Sequence, residues 1–269
     1  MAFAWPQSIT IVGCGNMGGA MLTGWLGGGL DPSSVTVVDP VLADAPAGVT
    51  LLRDAADASA PQALLLGIKP QMIGDIAPSL AHLAGEGTTV LSILAGVELA
   101  TLGRLFPDVS GHVRIMPNLA AAIGKSPVAL TAHNLDNAAR DGVTALMDPL
   151  GTPQWIDEAL FDAVTALVGS GPAFVYRFID ALATAGAELG LDADQARTLA
   201  LAMTEGASLL AASSQVAPGE LADRVASAGG TTRAGLDVLD AEGALAKLVN
   251  ETLRAARDRG TEMARESGS

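Results

Sequence analysis

The sequence has few of the residues that mark several large protein classes, and each scarcity excludes one of them. Its one cysteine, Cys14, cannot form an intramolecular disulfide, which is typical of a reducing compartment. Aromatic residues make up 3% and charged residues 16% of the 269 residues, whereas hydrophobic residues make up 49%. Because disordered chains combine low hydrophobicity with high charge, this composition predicts a globular, aliphatic protein.

Positive charge is also scarce. The chain has 15 lysine and arginine residues against 29 aspartate and glutamate residues, a net charge of −14, and its first basic residue is Arg53. The resulting field repels nucleic acid and anionic membranes, so neither is a predicted partner. A secretory signal needs an early positive charge, and a membrane span needs about 18 or more uncharged apolar residues. The sequence shows neither, so we predict a cytoplasmic protein.

Side chains that commonly do acid–base, nucleophilic or metal chemistry are few as well. None of the three histidines has a triad partner at a recognisable spacing, and no histidine, cysteine or carboxylate cluster has the spacing of metal ligands. We interpret His82 as part of an apolar helical stretch, His112 as the opening of a strand and His133 as part of a polar turn. The sequence therefore predicts no metal, no histidine general acid and no nucleophilic role for Cys14.

Strand-like and helix-like segments alternate through the first half of the chain. Short apolar, often β-branched runs predict buried strands at residues 8–13, 34–39, 62–68, 88–94 and 111–116. Helical patterns fill much of the sequence between them. This alternation is typical of a doubly wound parallel sheet of the Rossmann type, with helices on both faces. We predict an α/β fold in which residues 1–157 form a dinucleotide-binding domain.

The second half of the chain has a different character. Strand-like runs disappear after about Trp155, and alanine-rich helical segments dominate from Glu158, which predicts an all-helical domain over residues 158–269. Ser170 is the predicted N-cap of its first long helix. The segment 192–212 is apolar around most of its circumference, and such helices are buried in a core or against another subunit. We therefore predict that this domain joins copies of the chain into a homodimer or a larger homo-oligomer.

A glycine-rich loop follows the first predicted strand. Residues 13–18, Gly-Cys-Gly-Asn-Met-Gly, fit the pattern G-x-G-x-x-G between a strand and a helix. In this pattern Gly13 permits the tight turn, Gly15 lets a pyrophosphate approach the backbone, and Gly18 allows close helix packing. The helix N-terminus supplies N–H donors for the phosphates, so no basic side chain is required. The alternative is a glycine-rich turn without a ligand.

Two residues at predicted strand ends are further candidates for the cofactor site. Asp39 lies where an acidic residue accepts hydrogen bonds from the adenosine ribose, and its charge would repel a 2′-phosphate. No lysine or arginine lies within ten residues of it, so the local sequence favours NADH over NADPH. The alternative is that Asp39 only caps the turn before Pro40. Lys69 is either a cofactor contact or an ordinary strand-end charge.

A second candidate site lies near the other end of the sequence. Residues 227–232, Ser-Ala-Gly-Gly-Thr-Thr, precede a predicted helix over 233–239. Glycines that allow close approach, hydroxyl donors and a helix N-terminus together favour a nest for a small anion such as a carboxylate. The alternative is a plain helix start in which Thr231 or Thr232 only caps the backbone.

Five segments together resemble the pyrroline-5-carboxylate reductases: IVGCGNMG, Ile68-Lys69-Pro70, RIMPN at 114–118, GSGPAF at 169–174 and SAGGTTRAGLDVLD at 227–240. The resemblance runs over nearly the whole chain. The last segment is the most specific, since the family signature is a Gly-Gly-x-Thr element followed by a helix. The family resemblance implies NAD(P)H-dependent reduction of 1-pyrroline-5-carboxylate to L-proline, the last step of proline biosynthesis, in a Rossmann-type domain followed by a helical domain that intertwines with a partner subunit.

The same resemblance implies roles for individual residues. Thr232 takes a position near the imine nitrogen and is the implied catalytic residue. Around the substrate carboxylate the resemblance places Ser227, Gly229, Gly230 and Thr231, together with Thr232. Around the cofactor it places Asn16, Met17, Lys69, Pro70 and Asn118, in addition to Gly13, Gly15, Gly18 and Asp39.

Three positions depart from the family pattern, namely Leu119-Ala120 after MPN, Ala228 and Arg233. They leave the nicotinamide contacts and the substrate range open. Two alternatives keep the layout but change the function: a related imine reductase or hydroxyacid dehydrogenase, or a non-catalytic dinucleotide sensor. A hydroxyacid dehydrogenase would need a lysine between residues 170 and 210, and none occurs there. A sensor would have no use for the glycine–threonine segment.

Overall fold

The computed structural model describes residues 5–267, with side chains up to residue 262. Contacts divide the chain into a sheet unit, which ends at Gly169 and resumes at Ala256, and a helical unit, Ser170–Ala255. The predicted boundary between residues 157 and 158 marks the start of the helical sequence but not this division. The two differ because Phe161 packs against Met116 and Ala129 in a small core cluster of the sheet unit. As a limit between independently folding domains, 157/158 stays a prediction.

An eight-stranded sheet forms the centre of the sheet unit in the described part of the chain, in the order β3-β2-β1-β4-β5-β6-β7-β8. The order changes direction between β1 and β4, which is the topological switch point where α/β sheets bind ligands. The strands are β1 (Ile9–Val12), β2 (Val35–Val38), β3 (Thr50–Leu52), β4 (Ala63–Leu66), β5 (Thr89–Ser92), β6 (Gly111–Met116), β7 (Ser126–His133) and β8 (Gly151–Trp155).

Helices cover the sheet and make up the helical unit. Those of the sheet unit are α1 (Asn16–Gly27), α2 (Ile73–Leu80), α3 (Leu99–Leu105), α4 (Asn137–Met147) and α5 (Phe161–Val164). The helical unit contains α6 (Gly171–Glu188), α7 (Ala193–Ser213), α8 (Pro218–Arg224) and α9 (Thr231–Asp240), and α10 (Ala244–Ser267) begins there and ends in the sheet unit. The α/β class and the helical second half predicted from the sequence are confirmed.

The central strands are apolar on both sides because both of their faces are covered. Leu65 of β4 belongs to the core cluster on one face, whereas Leu64 and Leu66 belong to the cluster on the other. All three side chains are fully buried. This double burial produces the continuous apolar runs by which the sequence predicted these strands.

The sheet is not parallel throughout, in contrast to the prediction. β6 and β7 pair antiparallel, with His112 opposite His133 and Met116 opposite Ala129, whereas the other strand pairs among the described residues are parallel. The cause is the short connection, residues 117–125, since a parallel pair needs a crossover of about a dozen residues or more.

Most large apolar side chains of the helical unit remain exposed in the single chain. Its buried hydrophobic residues, among those described, are Ala196 and Ala200. One stretch, Glu158–Glu188, is long and apolar enough to cross a membrane by length and composition alone. This is weak evidence for a span, because the stretch is interrupted by a π-helix at Thr165–Gly169 and carries Arg177 and Asp180 within α6. The absence of a membrane span therefore stays a prediction.

Candidate active site

The glycine loop lies at the switch point between β1 and β4. Gly13 has a φ of +84°, and a Cβ placed on it would lie 2.9 Å from the carbonyl of Gly67, which follows β4. A Cβ on Gly18 would lie 2.8 Å from the carbonyl oxygen of Gly13. Both residues must be glycine for the loop to pack between the strand and α1. By contrast, a Cβ on Gly15 would meet no atom within 4 Å, so packing does not explain this glycine.

The N-terminus of α1 leaves its first amides without intrahelical acceptors. The first bond of this helix runs from the N–H of Gly19 to the carbonyl of Gly15 at 2.8 Å. The N–H groups of Asn16, Met17 and Gly18 therefore precede the helical ladder, and the exposed Gly15 leaves open space in front of them. Open space before a positive helix end fits the pyrophosphate of a dinucleotide, as the sequence predicted.

Asp39 follows β2 and is buried beside the glycine loop. Its Oδ2 accepts the N–H of Cys14 at 2.9 Å, and its Oδ1 accepts the N–H groups of Val41 and Leu42, each at 2.9 Å. Burial acts to raise the pKa of Asp39, but these three donors and the charge of Arg53 together lower it below its usual value. Asp39 therefore does cap the turn, and its position next to Cys14 is also that of a ribose acceptor.

Arg53 is a residue at this site that the sequence did not single out. Its Nη1 donates to the carbonyl oxygen of Asp39 at 3.0 Å and to that of Leu42, and its Nη2 donates to that of Ala43 at 3.3 Å. Fourteen positions separate Arg53 from Asp39 in sequence, but the parallel pairing of β2 with β3 brings them together. The available signal was the three-residue strand just before Arg53, which is too short to detect by periodicity.

Lys69 and Pro70 lie just beyond the end of β4, at the same edge of the sheet as the glycine loop. Lys69 is exposed and precedes a 3-10 helix, Pro70–Met72. The N–H of Gly67 donates to the carbonyl of Val12 at 2.8 Å, which fixes this segment against β1. The structure thus brings the cofactor candidates of β1, β2 and β4 to one edge, where parallel strands end together.

The segment 227–232 forms a tight turn into α9 within the helical unit. Gly229 has a φ of +70°, and the N–H of Gly230 donates to the carbonyl of Ser227 at 2.9 Å. A Cβ on Gly230 would lie 2.5 Å from the hydroxyl oxygen of Ser227, so this position must also be glycine. Thr231 and Thr232 open α9 and are exposed. Their amides precede the first helical bond, from Ala234 to Gly230 at 3.1 Å, as a small-anion nest requires.

Comparison with known proteins assigns a family to this pair of motifs. A family model described as pyrroline-5-carboxylate reductase dimerisation matches residues 158–263, and one described as NADP oxidoreductase coenzyme F420-dependent matches residues 8–96. The pyrroline-5-carboxylate reductase of Methanosarcina acetivorans is 33% identical over 260 residues, covering 93% of this chain and 96% of that relative. The chain belongs to the pyrroline-5-carboxylate reductase family.

Solved structures of named reductases have the same fold. A pyrroline-5-carboxylate reductase from Coxiella burnetii is 28% identical, has a TM-score of 0.88, and is matched over 96% of this chain and 98% of that one. The pyrroline carboxylate reductase of Plasmodium falciparum, solved with NADP bound, has a TM-score of 0.85 at 22% identity, over 98% and 100% of the two chains. The latter identity is low enough that the likeness concerns the fold alone.

Asn118, which the family resemblance assigned to the cofactor, has a buried side chain with two protein partners. Its Oδ1 accepts the N–H of Ala120 at 3.0 Å, and its Nδ2 donates to the carbonyl of Val168 at 3.2 Å. Asn118 thereby joins the segment after β6 to the π-helix that precedes α6. Its contact with a cofactor stays a prediction, and the structure shows that it also holds these two motifs of the reductase together.

Glu158 and Arg114 form a connection that the sequence did not reveal. Arg114 of β6 donates from Nη1 to Oε1 of Glu158 at 2.8 Å, and its guanidinium carbon lies 4.5 Å from the ring centre of Phe161. The same Oε1 accepts the N–H of Leu99 at 2.8 Å. One carboxylate oxygen therefore fixes the start of the helical sequence to β6 and to the first residue of α3.

The groups that the sequence rejected as catalysts have structural partners. His82 contacts the carbonyl of Ala55 through Nε2 at 3.0 Å, and His133 is exposed at the end of β7. Burial, and then the nearby Asp39, raise the pKa of the Cys14 thiol, which disfavours the nucleophilic thiolate. No group of three or more potential metal ligands lies among the described residues.

His112 predicts how the stability of this reductase depends on pH. Its side chain is buried, its Nε2 lies 2.9 Å from the carbonyl oxygen of Phe106, and its Nδ1 has no partner among the described residues. Burial lowers the pKa of His112, the Phe106 carbonyl partly opposes this, and His133 lowers it further. As the pH falls below about 6.5, the unfolded chain takes up a proton that the folded chain refuses, so stability is lost.

We expect the free energy of unfolding to fall between about pH 7.5 and pH 5.5, and to fall less in His112→Gln, which keeps a donor for Phe106 without titrating. Urea denaturation at several pH values measures both slopes. The control, His82→Gln, removes an exposed imidazole and should keep the wild-type slope. Parallel pH profiles for wild type and His112→Gln would contradict this assignment.

Proposed function

We propose that this chain reduces 1-pyrroline-5-carboxylate to L-proline with a nicotinamide dinucleotide. The observation that carries the proposal is the presence of two preformed anion-binding helix starts, one on each unit. The start of α1 fits a dinucleotide pyrophosphate, and the turn before α9 fits a small carboxylate. Membership of the reductase family supplies the substrate, because the named relatives are pyrroline-5-carboxylate reductases.

The reaction places three demands on the protein: the carbon of the C=N bond receives a hydride, the nitrogen receives a proton, and the carboxylate needs a fixed position. When bound, the nicotinamide ring supplies the hydride. The amides of Thr231 and Thr232, with Ser227, Gly229 and Gly230 shaping the turn, hold the carboxylate. The Thr232 hydroxyl donates a hydrogen bond to the imine nitrogen, where it or a water molecule delivers the proton.

The carboxylate nest acts without a free arginine. Arg233, the residue that departs from the family pattern, binds Asp237 at 2.8 Å, Asp240 at 3.2 Å and Asp223 at 3.4 Å. Three carboxylates around one guanidinium leave a negative local balance. Substrate recognition therefore depends on backbone N–H groups and hydroxyls at short range, and Arg233 instead joins α8 to α9 around the turn.

Substrate-dependent oxidation of the cofactor tests the proposed function. NADH and NADPH are supplied in parallel with 1-pyrroline-5-carboxylate, the fall in absorbance is followed, and L-proline is identified as the product. The matched substrate 1-pyrroline, which lacks the carboxylate, should show a much higher KM. Equal activity on both imines would instead favour a general imine reductase, and nucleotide binding without turnover would favour a sensor.

The cofactor preference is a finer question than the cofactor class. The sequence predicts that NADH serves at least as well as NADPH, through repulsion between Asp39 and a 2′-phosphate. That preference stays a prediction, and it assumed both a free carboxylate and no nearby cation. In the structure, the carboxylate of Asp39 accepts three N–H groups and Arg53 lies on the same loop.

We also propose that the active form is a homodimer or a larger homo-oligomer of a cytoplasmic protein, joined through the helical part that the dimerisation model matches. Side chains such as Val175, Tyr176 and Phe178 of α6 are about half exposed or more in the single chain. Apolar surface of this extent marks an interface. Sedimentation velocity is expected to give at least twice the 27.0 kDa of one chain.

A charge placed on the exposed face of α6 provides the control for this prediction. Phe178→Glu should weaken association, because it would bury a carboxylate in an apolar interface. Val41→Glu introduces the same charge at an exposed apolar residue of the sheet unit and should leave the mass unchanged. A stable, active monomer of the unmodified chain would contradict the proposal.

A further inference from the structure

Arg53 places a positive charge on the loop that follows β2, in a sheet unit whose first basic residue it is. A guanidinium has five N–H donors. Three contacts are made, to the carbonyl oxygens of Asp39, Leu42 and Ala43. Two donors therefore remain without an acceptor in the described part of the chain. The residue is exposed, so these donors are accessible from solvent.

The neighbouring Asp39 is a weaker source of repulsion than the sequence predicted. Three backbone N–H groups surround its carboxylate, and Arg53 adds a positive charge through the Asp39 carbonyl. The pair Asp39 and Arg53 is neutral in sum. A phosphate that approaches this loop therefore meets a compensated carboxylate together with a guanidinium that retains two donors.

The position of the loop decides which part of a cofactor would meet these groups. Cys14 belongs to the glycine loop, and its N–H contacts Asp39 directly at 2.9 Å. A dinucleotide whose pyrophosphate lies at the start of α1 extends its adenosine ribose towards the end of β2. The ribose 2′ position then lies beside the loop 39–43, on which the guanidinium of Arg53 rests.

We propose that Arg53 is a specificity-determining residue that binds the 2′-phosphate of NADPH. It uses the two N–H donors that the loop carbonyls leave unoccupied, in a charge-assisted contact that NADH cannot make. The inference rests on the proposed function only in assuming that this site takes a nicotinamide dinucleotide. Arg53 has a second, shared effect on both cofactors, since it also holds the loop through three carbonyl oxygens.

Direct binding measurements separate these two effects and do not depend on turnover. Dissociation constants of NADPH and NADH are measured by calorimetry for wild type, Arg53→Gln and Arg53→Lys. We expect Arg53→Gln to raise the Kd of NADPH by about 10- to 100-fold while the Kd of NADH changes by less than about threefold. Arg53→Lys keeps the charge but loses the planar fork, and should fall between the two.

A matched control removes the same charge elsewhere. Arg104→Gln on α3 removes an exposed arginine whose guanidinium bonds Thr101 of its own helix, and should leave both constants unchanged. An equal loss of NADPH and NADH affinity in Arg53→Gln would overturn the proposal and make Arg53 a loop-positioning residue. Unchanged constants would also overturn it. Failure of either nucleotide to bind the wild type would contradict the proposed function itself.

Discussion

Replacing Thr232 by alanine is expected to lower kcat/KM for 1-pyrroline-5-carboxylate by about 10- to 100-fold while the cofactor Kd stays nearly constant. The loss corresponds to one hydrogen bond to a charged or developing-charge group, about 1.5–3 kcal/mol. Thr232 lies in the first turn of α9, it is exposed, and the fold does not depend on its side chain. Steady-state kinetics with 1-pyrroline-5-carboxylate, beside nucleotide binding by fluorescence or calorimetry, measures both quantities.

The hydroxyl, not the size of the side chain, should carry this effect. Thr232→Ser keeps the hydroxyl and is expected to retain most of the wild-type activity, whereas Thr232→Val keeps the shape and should resemble the alanine variant. Wild-type kcat/KM in Thr232→Ala would remove Thr232 from the mechanism and leave water as the proton donor.

Replacing Gly15 by alanine is expected to raise the Kd of the nucleotide by about 10- to 100-fold with little change in stability. The backbone there has an ordinary φ of −70°, and an added Cβ meets no protein atom within 4 Å. The methyl group would instead occupy the space before the amides of α1, where a pyrophosphate would lose charge-assisted hydrogen bonds. Calorimetric titration and thermal denaturation measure the two effects.

Two other glycines give the comparison its meaning. Gly27→Ala, at the far end of α1, also adds a methyl group in open space and should leave both affinity and stability intact. Gly13→Ala should mainly destabilise the fold, because φ there is +84° and the Cβ would collide with Gly67. Unchanged nucleotide affinity in Gly15→Ala would place the pyrophosphate elsewhere.

The strands that the sequence did not predict lie towards the ends of the sheet. β3 is three residues long, so no periodicity can be read from it. β8 contains Pro153, which a central strand would not tolerate but an edge strand does, and β8 is the last strand of the order. β7 pairs with β6 through the direction of the connecting turn, which the composition of the strand does not report. The buried central strands, in contrast, followed directly from their apolar runs.

The candidate site divides in the same way between local and long-range information. The glycine loop and the turn at 227–232 are each continuous in sequence, so their glycines and helix starts could be recognised from spacing alone. Arg53 on the Asp39 loop, Glu158 under Arg114 and the bond from Asn118 to Val168 join residues 14, 44 and 50 positions apart. No pattern within a short window reports such pairs, because strand order brings them together.

The sequence by itself determined the α/β class, the helical second half, both helix-start motifs and the reductase family, since each depends on local periodicity, local turn chemistry or a contiguous signature. Only the tertiary structure decided that the carboxylate of Asp39 is held by three amides, that Arg53 lies on the same loop, and that β7 runs antiparallel. The physical reason is that hydrogen bonds and charges act across a few ångströms of space, and the pairing of distant strands sets those distances.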